Sequence, residues 1–226
     1  MVSGLEIVYG RRAVAEAKRG RRRVHRVLTR AELSDRELTE LARSPDHQGV
    51  VAEVDPYPYA DEDEPLRRDD PLVVALDQVQ DPRNLGAICR AAEGAGASGV
   101  VIPARRAAGV TPAVCKASAG AVEHLAIARV TNLVRWLERA KSAGAWVYGA
   151  DARAPSAYTA ADLRGPLVLV LGGEGGGLRR LVAERCDALV SISLAGRVES
   201  LNVGAAAAVL LFEARRQRGN GDRGGR

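Results

Sequence analysis

An apolar stretch that runs into a glycine-rich turn decides the fold: Leu167-Val168-Leu169-Val170-Leu171, followed by Gly172-Gly173-Glu174-Gly175-Gly176-Gly177-Leu178. A short apolar run bounded by glycines is typical of a strand buried on both faces, as in a parallel sheet covered by helices. Glycines at the end of such a strand permit positive φ and a close approach of the backbone. The segment therefore predicts a strand that ends at a pocket or a tight turn.

Apolar strands alternate with helical stretches on both sides of this segment. Thr111 followed by Pro112 has the pattern of a helix N-cap and first turn. The alternation predicts an α/β domain with a mostly parallel sheet over residues 71–218. Strands are expected at 72–76, 99–102, 126–130, 145–149, 167–171 and 189–193, and helices at 84–95, 112–119, 132–142, 178–185 and 201–216.

Residues 1–54 are predicted to form a small α/β unit of helix, strand, helix and strand. Ser34 and Glu37 have the spacing of a capping box at the start of its second helix. Such a short unit has a thin core, so we expect it to pack against the larger domain. Residues 55–70, which contain prolines and acidic residues, are interpreted as a linker and solvated tether, and residues 219–226 as a disordered basic tail.

The net charge of +5 conceals basic segments near both ends of the chain. Residues 11–30 carry a net charge of +8 and residues 215–226 carry +4, which leaves −7 for the remainder. This distribution favours a polyanionic partner such as nucleic acid, although arginine-rich composition with solvated faces is the alternative. The candidate RNA-contacting residues are Arg11, Arg12, Arg21, Arg22 and Arg23.

Several classes of protein do not fit this sequence. No apolar run approaches the roughly 18 residues of a membrane helix, and the first residues lack a signal-peptide pattern. Cys89, Cys115 and Cys186 are widely spaced and form no CxxC pair, so neither a disulfide framework nor a metal site is expected. A cytoplasmic protein without metal or membrane partners is the prediction.

Two further motifs carry polar residues beside predicted helices: Asp81 to Arg90, and Ile192 to Val203. Asn84 and Arg90 lie about 600° apart on a helix, so they are not expected to share a face. Arg90 stands among apolar neighbours, and we expect it to project inward towards an anionic ligand, with a structural ion pair as the alternative.

The remaining polar residues of these motifs have competing structural interpretations. Glu174 either contacts a ligand or caps the helix expected from Leu178. One of Ser200 and Asn202 can cap the last helix, which leaves the other unexplained. The glycine run itself fits neither a dinucleotide fingerprint nor a P-loop.

In this order and spacing, the motifs resemble the SpoU (TrmH-type) family of RNA ribose 2′-O-methyltransferases, of the SPOUT class. The matching elements are Asn84-Leu85-Gly86 with Arg90, Gly172 with Glu174-Gly175, and Ile192 through Ser200-Leu201-Asn202, with Lys116 to Ala121 between them. Val8-Tyr9-Gly10-Arg11-Arg12 and His47-Gln48-Gly49-Val50-Val51 resemble the ribosomal-protein-like RNA-binding domain of the branch that modifies 23S ribosomal RNA.

The resemblance implies a C-terminal trefoil knot, which is an exception among protein folds, and a homodimer with each site near the subunit interface. It implies S-adenosylmethionine as cofactor and RNA as partner. The cofactor-binding residues would be Gly172, Gly173, Ile192, Leu194, Gly196 and Leu201. The catalytic residues would be Arg90, Asn84, Glu174, Ser200 and Asn202.

The expected activity is methylation of a 23S ribosomal RNA guanosine at the ribose 2′-oxygen. A transfer RNA or an antibiotic-resistance site on ribosomal RNA is the alternative target, and a non-catalytic RNA-binding or ribosome-assembly protein is the alternative class. The N-terminal unit is shortened, with 18 residues between Leu28 and His47. Leu194 and Gly204 stand where the family often has methionine and serine.

Overall fold

The computed structural model of the protein describes residues 4–219 and contains two sheets. The smaller sheet is antiparallel, with β3 between β1 and β2. Its elements are β1 (Glu6–Tyr9), α1 (Arg11–Ala17), β2 (Val24–Thr29), α2 (Asp35–Ala42) and β3 (Val50–Val54). Strand β1 is absent from the sequence-based prediction, because its four residues are too few to show an alternating pattern. The capping box of Ser34 and Glu37 is formed as predicted.

The larger sheet has six strands, all parallel, in the order β6-β5-β4-β8-β7-β9. The predicted α/β class is therefore confirmed. Its elements are β4 (Leu72–Asp77), α3 (Pro82–Ala95), β5 (Gly99–Pro103), α4 (Pro112–Ala117), β6 (Ala126–Val130), α5 (Leu133–Ser142), β7 (Trp146–Ala150), β8 (Leu167–Gly172), α6 (Arg180–Ala183), β9 (Ala188–Val190) and α7 (Val203–Gly219).

The strand order reverses beside β4. From β4 the chain moves outward through β5 and β6, and then returns on the other side of β4 through β7, β8 and β9. Loops at the carboxyl ends of strands diverge at such a switch point, which leaves a crevice for a ligand. The predicted glycine turn follows β8, directly beside this point.

The smaller sheet packs against the larger domain, as its thin core led us to expect. Val8 and Val14 belong to the same buried apolar cluster as Val114 and Val122. Two places along this contact, Gly20 and Gly120, leave no room for a side chain. A Cβ at Gly20, for example, would lie 2.5 Å from the Cβ of Glu123.

The segment between the sheets is bound to the protein, so its interpretation as a solvated tether was wrong. Tyr57 is buried and its hydroxyl donates to the Val122 carbonyl at 2.7 Å. Arg139 on α5 forms ion pairs with Glu62 at 2.7 Å and Asp63 at 3.2 Å. Glu62 and Asp63 are therefore held against α5, whose Arg139 lies far away along the chain.

Residue 219 ends α7, and the predicted tail beyond it lies outside the described residues. Over residues 4–219, no helix combines the length and apolar character needed to cross a membrane.

Candidate active site

The glycine turn after β8 folds back on its own strand. Gly177 N donates to the Gly173 carbonyl at 3.1 Å, and Gly173 N donates to the Asp77 carbonyl at 2.8 Å. A Cβ at Gly172 would lie 2.1 Å from the Gly177 carbonyl carbon, and one at Gly173 would lie 2.4 Å from the Gln78 oxygen. Both glycines are therefore required by close backbone approach.

A fully buried carboxylate holds the far end of the turn. Asp77, the last residue of β4, accepts from Arg179 N at 2.8 Å and from Arg179 Nε at 2.7 Å. The glycine turn lies between this pair and β8. Sequence reasoning missed both residues, although an aspartate at the end of a wholly apolar strand was a usable signal.

Three side chains from the three sequence motifs form one hydrogen-bonded cluster. Asn84 Nδ2 donates to Glu174 Oε1 at 2.7 Å, and Asn202 Nδ2 donates to the same oxygen at 3.0 Å. Asn202 Nδ2 also lies 2.9 Å from Asn84 Oδ1. The structure thus brings together three of the predicted catalytic residues, and Glu174 contacts these amides and does not cap a helix.

Asn202 also resolves the question of which residue caps α7. Its Oδ1 accepts from Gly204 N at 2.9 Å and from Ala205 N at 3.4 Å. Ser200 is exposed and has no hydrogen bond within the described part of the chain. The cap fixes the rotamer of Asn202, which aims its amide NH₂ at Glu174.

A cavity of about 570 Å³ opens beside this cluster. The volume lies within the range of small-molecule sites. Four segments line it: 150–153, 171–177, 190–194 and 199–206. The predicted residues Gly172, Gly173, Ile192, Leu194, Leu201, Glu174, Ser200 and Asn202 are all in its walls, and Gly196 is not.

Residues Ala150 to Arg153 complete the cavity and were missed from the sequence. They follow β7, whose carboxyl end lies at the same edge of the sheet as that of β8. Asp151 is partly buried and accepts from Arg153 N at 2.8 Å. A polar residue directly after a strand was the available signal, but its relevance depends on the strand order.

Arg90 is exposed, and the expectation that it projects inward was wrong. It does not line the cavity, and its side chain forms no hydrogen bond or ion pair with any residue in 4–219. Asn84 on the same helix is buried, so the two residues lie on different faces, as their spacing indicated. Arg90 avoids the cost of burial because its face of α3 is open in the single chain.

The five candidate RNA-contacting arginines differ in environment. Arg22 is buried, donates to both carboxylate oxygens of Glu123, and contacts Cys115 Sγ at 3.3 Å. The prediction that Arg22 contacts RNA was wrong, because its guanidinium is paired with Glu123 where the smaller sheet's unit packs on the larger domain. Arg21 pairs with Glu64 at 3.2 Å, whereas Arg11, Arg12 and Arg23 are exposed.

The sulfur beside Arg22 is a neutral thiol. Burial raises the pKa of Cys115 to about 11, although Arg22 opposes this effect. Among residues 4–219, no group of His, Cys, Asp or Glu side chains has the arrangement of a metal site.

The walls of the cavity suit an S-adenosylmethionine molecule. A Cβ at Gly175, Gly176 or Gly177 would meet no atom within 4 Å, so this wall exposes bare main chain to the cavity. Ile192 and Leu194, both partly exposed, offer apolar surface for a flat base. Asp151 and Glu199 add negative charge to the same walls, which favours a ligand with a positive charge.

Residues 71–212 match the model of the SpoU rRNA methylase family. The chain belongs to this family. The predicted family is thereby confirmed, and with it the enzyme class, an RNA methyltransferase.

Relatives of known name support this assignment. The chain is 49% identical over 177 residues to a putative TrmH family tRNA/rRNA methyltransferase, YacO, of Bacillus subtilis, covering 76% of this chain and 71% of the relative. It is 48% identical, with the same coverage of each, to the 23S rRNA (guanosine-2′-O-)-methyltransferase RlmB of Pseudomonas putida. The SpoU methyltransferase AviRb of Streptomyces viridochromogenes, solved in complex with AdoMet, superposes with a TM-score of 0.80 at 33% identity, covering 96% of this chain and 92% of AviRb.

Proposed function

We propose that this protein transfers a methyl group from S-adenosylmethionine to the ribose 2′-hydroxyl of a guanosine in 23S ribosomal RNA, in the cytoplasm. The observation that carries the proposal is the Asn84–Glu174–Asn202 cluster at the rim of a cavity walled by bare glycine backbone. The name of the Pseudomonas putida relative supports the guanosine target.

The cofactor would be held by main chain at Gly172 and Gly173 and by the side chains of Ile192, Leu194 and Leu201. S-adenosylmethionine supplies, when bound, a methyl group activated by a sulfonium. The chain itself must place the ribose hydroxyl in line with that methyl group and assist removal of the hydroxyl proton. Asn84, Glu174 and Asn202 orient the ribose, and Ser200, free of a cap, adds a hydroxyl to the same wall.

Arg90 supplies positive charge for the reacting oxygen. A guanidinium remains protonated at neutral pH, so it stabilises a developing alkoxide and binds an RNA phosphate rather than acting as a base. Because Arg90 lies outside its own chain's cavity, we assign it to the site of a second copy. Exposed apolar side chains near the same helices, Leu201 and Phe212 at 37% and 49% exposure, are consistent with pairing of two chains through the α3–α7 face.

The C-terminal region would form the trefoil knot implied by the family. After β9 at the edge of the sheet, residues 191–202 cross the ends of β7 and β8 to reach α7, which packs on α3. The glycine turn and the 150–157 loop lie along this path. Threading beneath the turn would hold both walls of the cofactor site together without a covalent link.

Methyl transfer to defined RNAs tests the proposal. The protein would be incubated with tritiated S-adenosylmethionine and either unmodified 23S ribosomal RNA or total transfer RNA, and 2′-O-methyl positions would then be mapped. We expect label in a single guanosine of the 23S RNA. Label in transfer RNA instead would identify transfer RNA as the substrate. Absence of label from every RNA would favour a protein that binds RNA without modifying it.

A further inference from the structure

A second cavity, of about 340 Å³, lies at the contact between the smaller sheet's unit and the methyltransferase domain. Its walls are formed by Arg12, Ala13, Gln48, Lys116 and Ala119. These residues come from three segments far apart in sequence, and none of them lines the cavity beside the glycine turn. The structure therefore contains a separate site with two cations in its walls.

Two contacts, at Gly10 and at Gln48, shape the walls of this second cavity. Gly10 has φ +93°, and a Cβ there would lie 2.6 Å from Lys116 Nζ, so the lysine lies directly across the glycine. Gln48 Oε1 accepts from Arg11 N at 3.1 Å, which ties the 47–49 turn to the start of α1. The backbone beside Arg12 is thus held against the 47–49 turn, and Lys116 reaches it from α4.

The charges of the two cations are not matched within the protein. Over residues 4–219, neither Arg12 nor Lys116 forms an ion pair or side-chain hydrogen bond, in contrast to Arg22 with its buried carboxylate partner. Burial lowers the pKa of Lys116, and the nearby carboxylate of Asp46 offsets only part of this effect. A partly buried ammonium without a partner favours an anionic ligand.

The segment that carries Lys116 packs on the helix that contains the first catalytic motif. A Cβ at Gly86 on α3 would lie 2.4 Å from the Cβ of Ala117, so the segment carrying Lys116 touches the first turns of α3. Asn84 is two residues before Gly86. Residues two apart on a helix point in nearly opposite directions, so α3 packs on the Lys116 segment through one face and directs Asn84 to Glu174 from another.

We propose that Arg12 and Lys116 bind a backbone phosphate of the RNA substrate, so that this second cavity positions the RNA between the two parts of the chain. The proposal rests on the proposed function, because it takes the substrate to be RNA. Arginine and lysine are the usual phosphate contacts in RNA-binding sites, and such contacts fix register without reading sequence.

The test uses the whole protein with unmodified 23S ribosomal RNA and labelled S-adenosylmethionine. The variants are Arg12→Gln, Lys116→Gln and the double substitution. Lys18→Gln is the matched control, since Lys18 is exposed on the same unit and lies outside the second cavity. Thermal unfolding and calorimetric cofactor binding establish that each variant is folded and has an intact cofactor site.

We expect each cavity variant to raise the KM for RNA about ten-fold while the Kd of S-adenosylmethionine is unchanged. Because both cations would hold one phosphate, the double variant should lose less than the product of the single effects. Unchanged KM values for RNA in the cavity variants, or an equal rise of this KM in Lys18→Gln, would overturn the phosphate site. Methylation of RNA by the wild-type protein would still support the proposed enzyme activity. Binding of millimolar inorganic phosphate that is lost in the Lys116→Gln variant, with the KM for RNA unchanged in that variant, would assign this second cavity to a free anion and also overturn the proposal.

Discussion

Asn84 and Glu174, 90 residues apart in sequence, are joined by a hydrogen bond of 2.7 Å from the amide Nδ2 to the carboxylate Oε1. One residue lies in the first turn of α3 and the other in the glycine turn after β8. Asn202 donates to the same carboxylate oxygen. The single carboxylate therefore connects the three motifs on which the proposed function depends.

Removal of this carboxylate should abolish most turnover while the protein remains folded. Glu174→Ala leaves both amide groups without their acceptor, and misplacement of reacting groups costs on the order of 10²-fold in rate. We expect kcat to fall by that factor, and the Kd for S-adenosylmethionine to change only slightly. Glu184→Gln is the control, since Glu184 is exposed and lies outside both the cavity and the cluster. Equal losses in the two variants would contradict the role of the cluster.

In a homodimer, Arg90 of one chain should act in the active site of the other chain. Arg90→Ala and Glu174→Ala would each be inactive alone, but a mixed dimer would combine one intact cavity with one intact Arg90. We expect co-expressed, doubly tagged mixed dimers to recover about half of wild-type activity, because one of two sites is complete. Mixed dimers without activity would show that Arg90 serves its own chain. Arg83→Ala, another exposed arginine on α3, should have little effect.

The buried Asp77 should support cofactor binding through the glycine turn. Asp77→Asn keeps the size of the side chain but removes the charge that holds Arg179, and charge-assisted hydrogen bonds contribute about 1.5–3 kcal/mol each. We expect the affinity for S-adenosylmethionine, measured by calorimetry, to fall at least ten-fold. An unchanged affinity in a folded variant would mean that the turn keeps its shape without this pair.

The Arg22–Glu123 pair should stabilise the contact between the two sheets. Arg22→Met leaves a buried carboxylate without a partner, which destabilises proteins by about 3–5 kcal/mol. We expect a loss of this size in denaturant unfolding, and partial recovery when Glu123→Leu is added, because an apolar pair no longer needs charge compensation. A second substitution that adds further destabilisation would contradict this account. The RNA KM of the double variant should remain close to that of the wild type.

Local sequence patterns predicted the strands of the large sheet because an apolar strand covered on both faces leaves a continuous signal. The six expected strands agree with the observed ones to within a few residues. Helix α6 is shorter than expected, spanning Arg180–Ala183 against a predicted 178–185. The glycine turn occupies Leu178 and its neighbours, since Arg179 is bound by Asp77 before the helix begins.

The environment of the arginines could not be predicted from the same patterns. Arg22 looked like its neighbours Arg21 and Arg23 in sequence, yet it alone of the three is buried. Its partner, Glu123, is 101 residues away. Charge counting treats every arginine in a run alike, whereas burial depends on which distant carboxylate the fold brings to it.

The sequence by itself determined the fold class, the family and the glycine turn, because each depends on local apolar runs and on residues that tolerate close backbone contact. Only the tertiary structure decided that Asn84 and Asn202 donate to one oxygen of Glu174, that Arg90 lies outside its own chain's cavity, and that Arg12 and Lys116 line one second cavity. The physical reason is that these relationships join segments on different strands and helices, and their geometry follows from strand order and packing rather than from spacing along the chain.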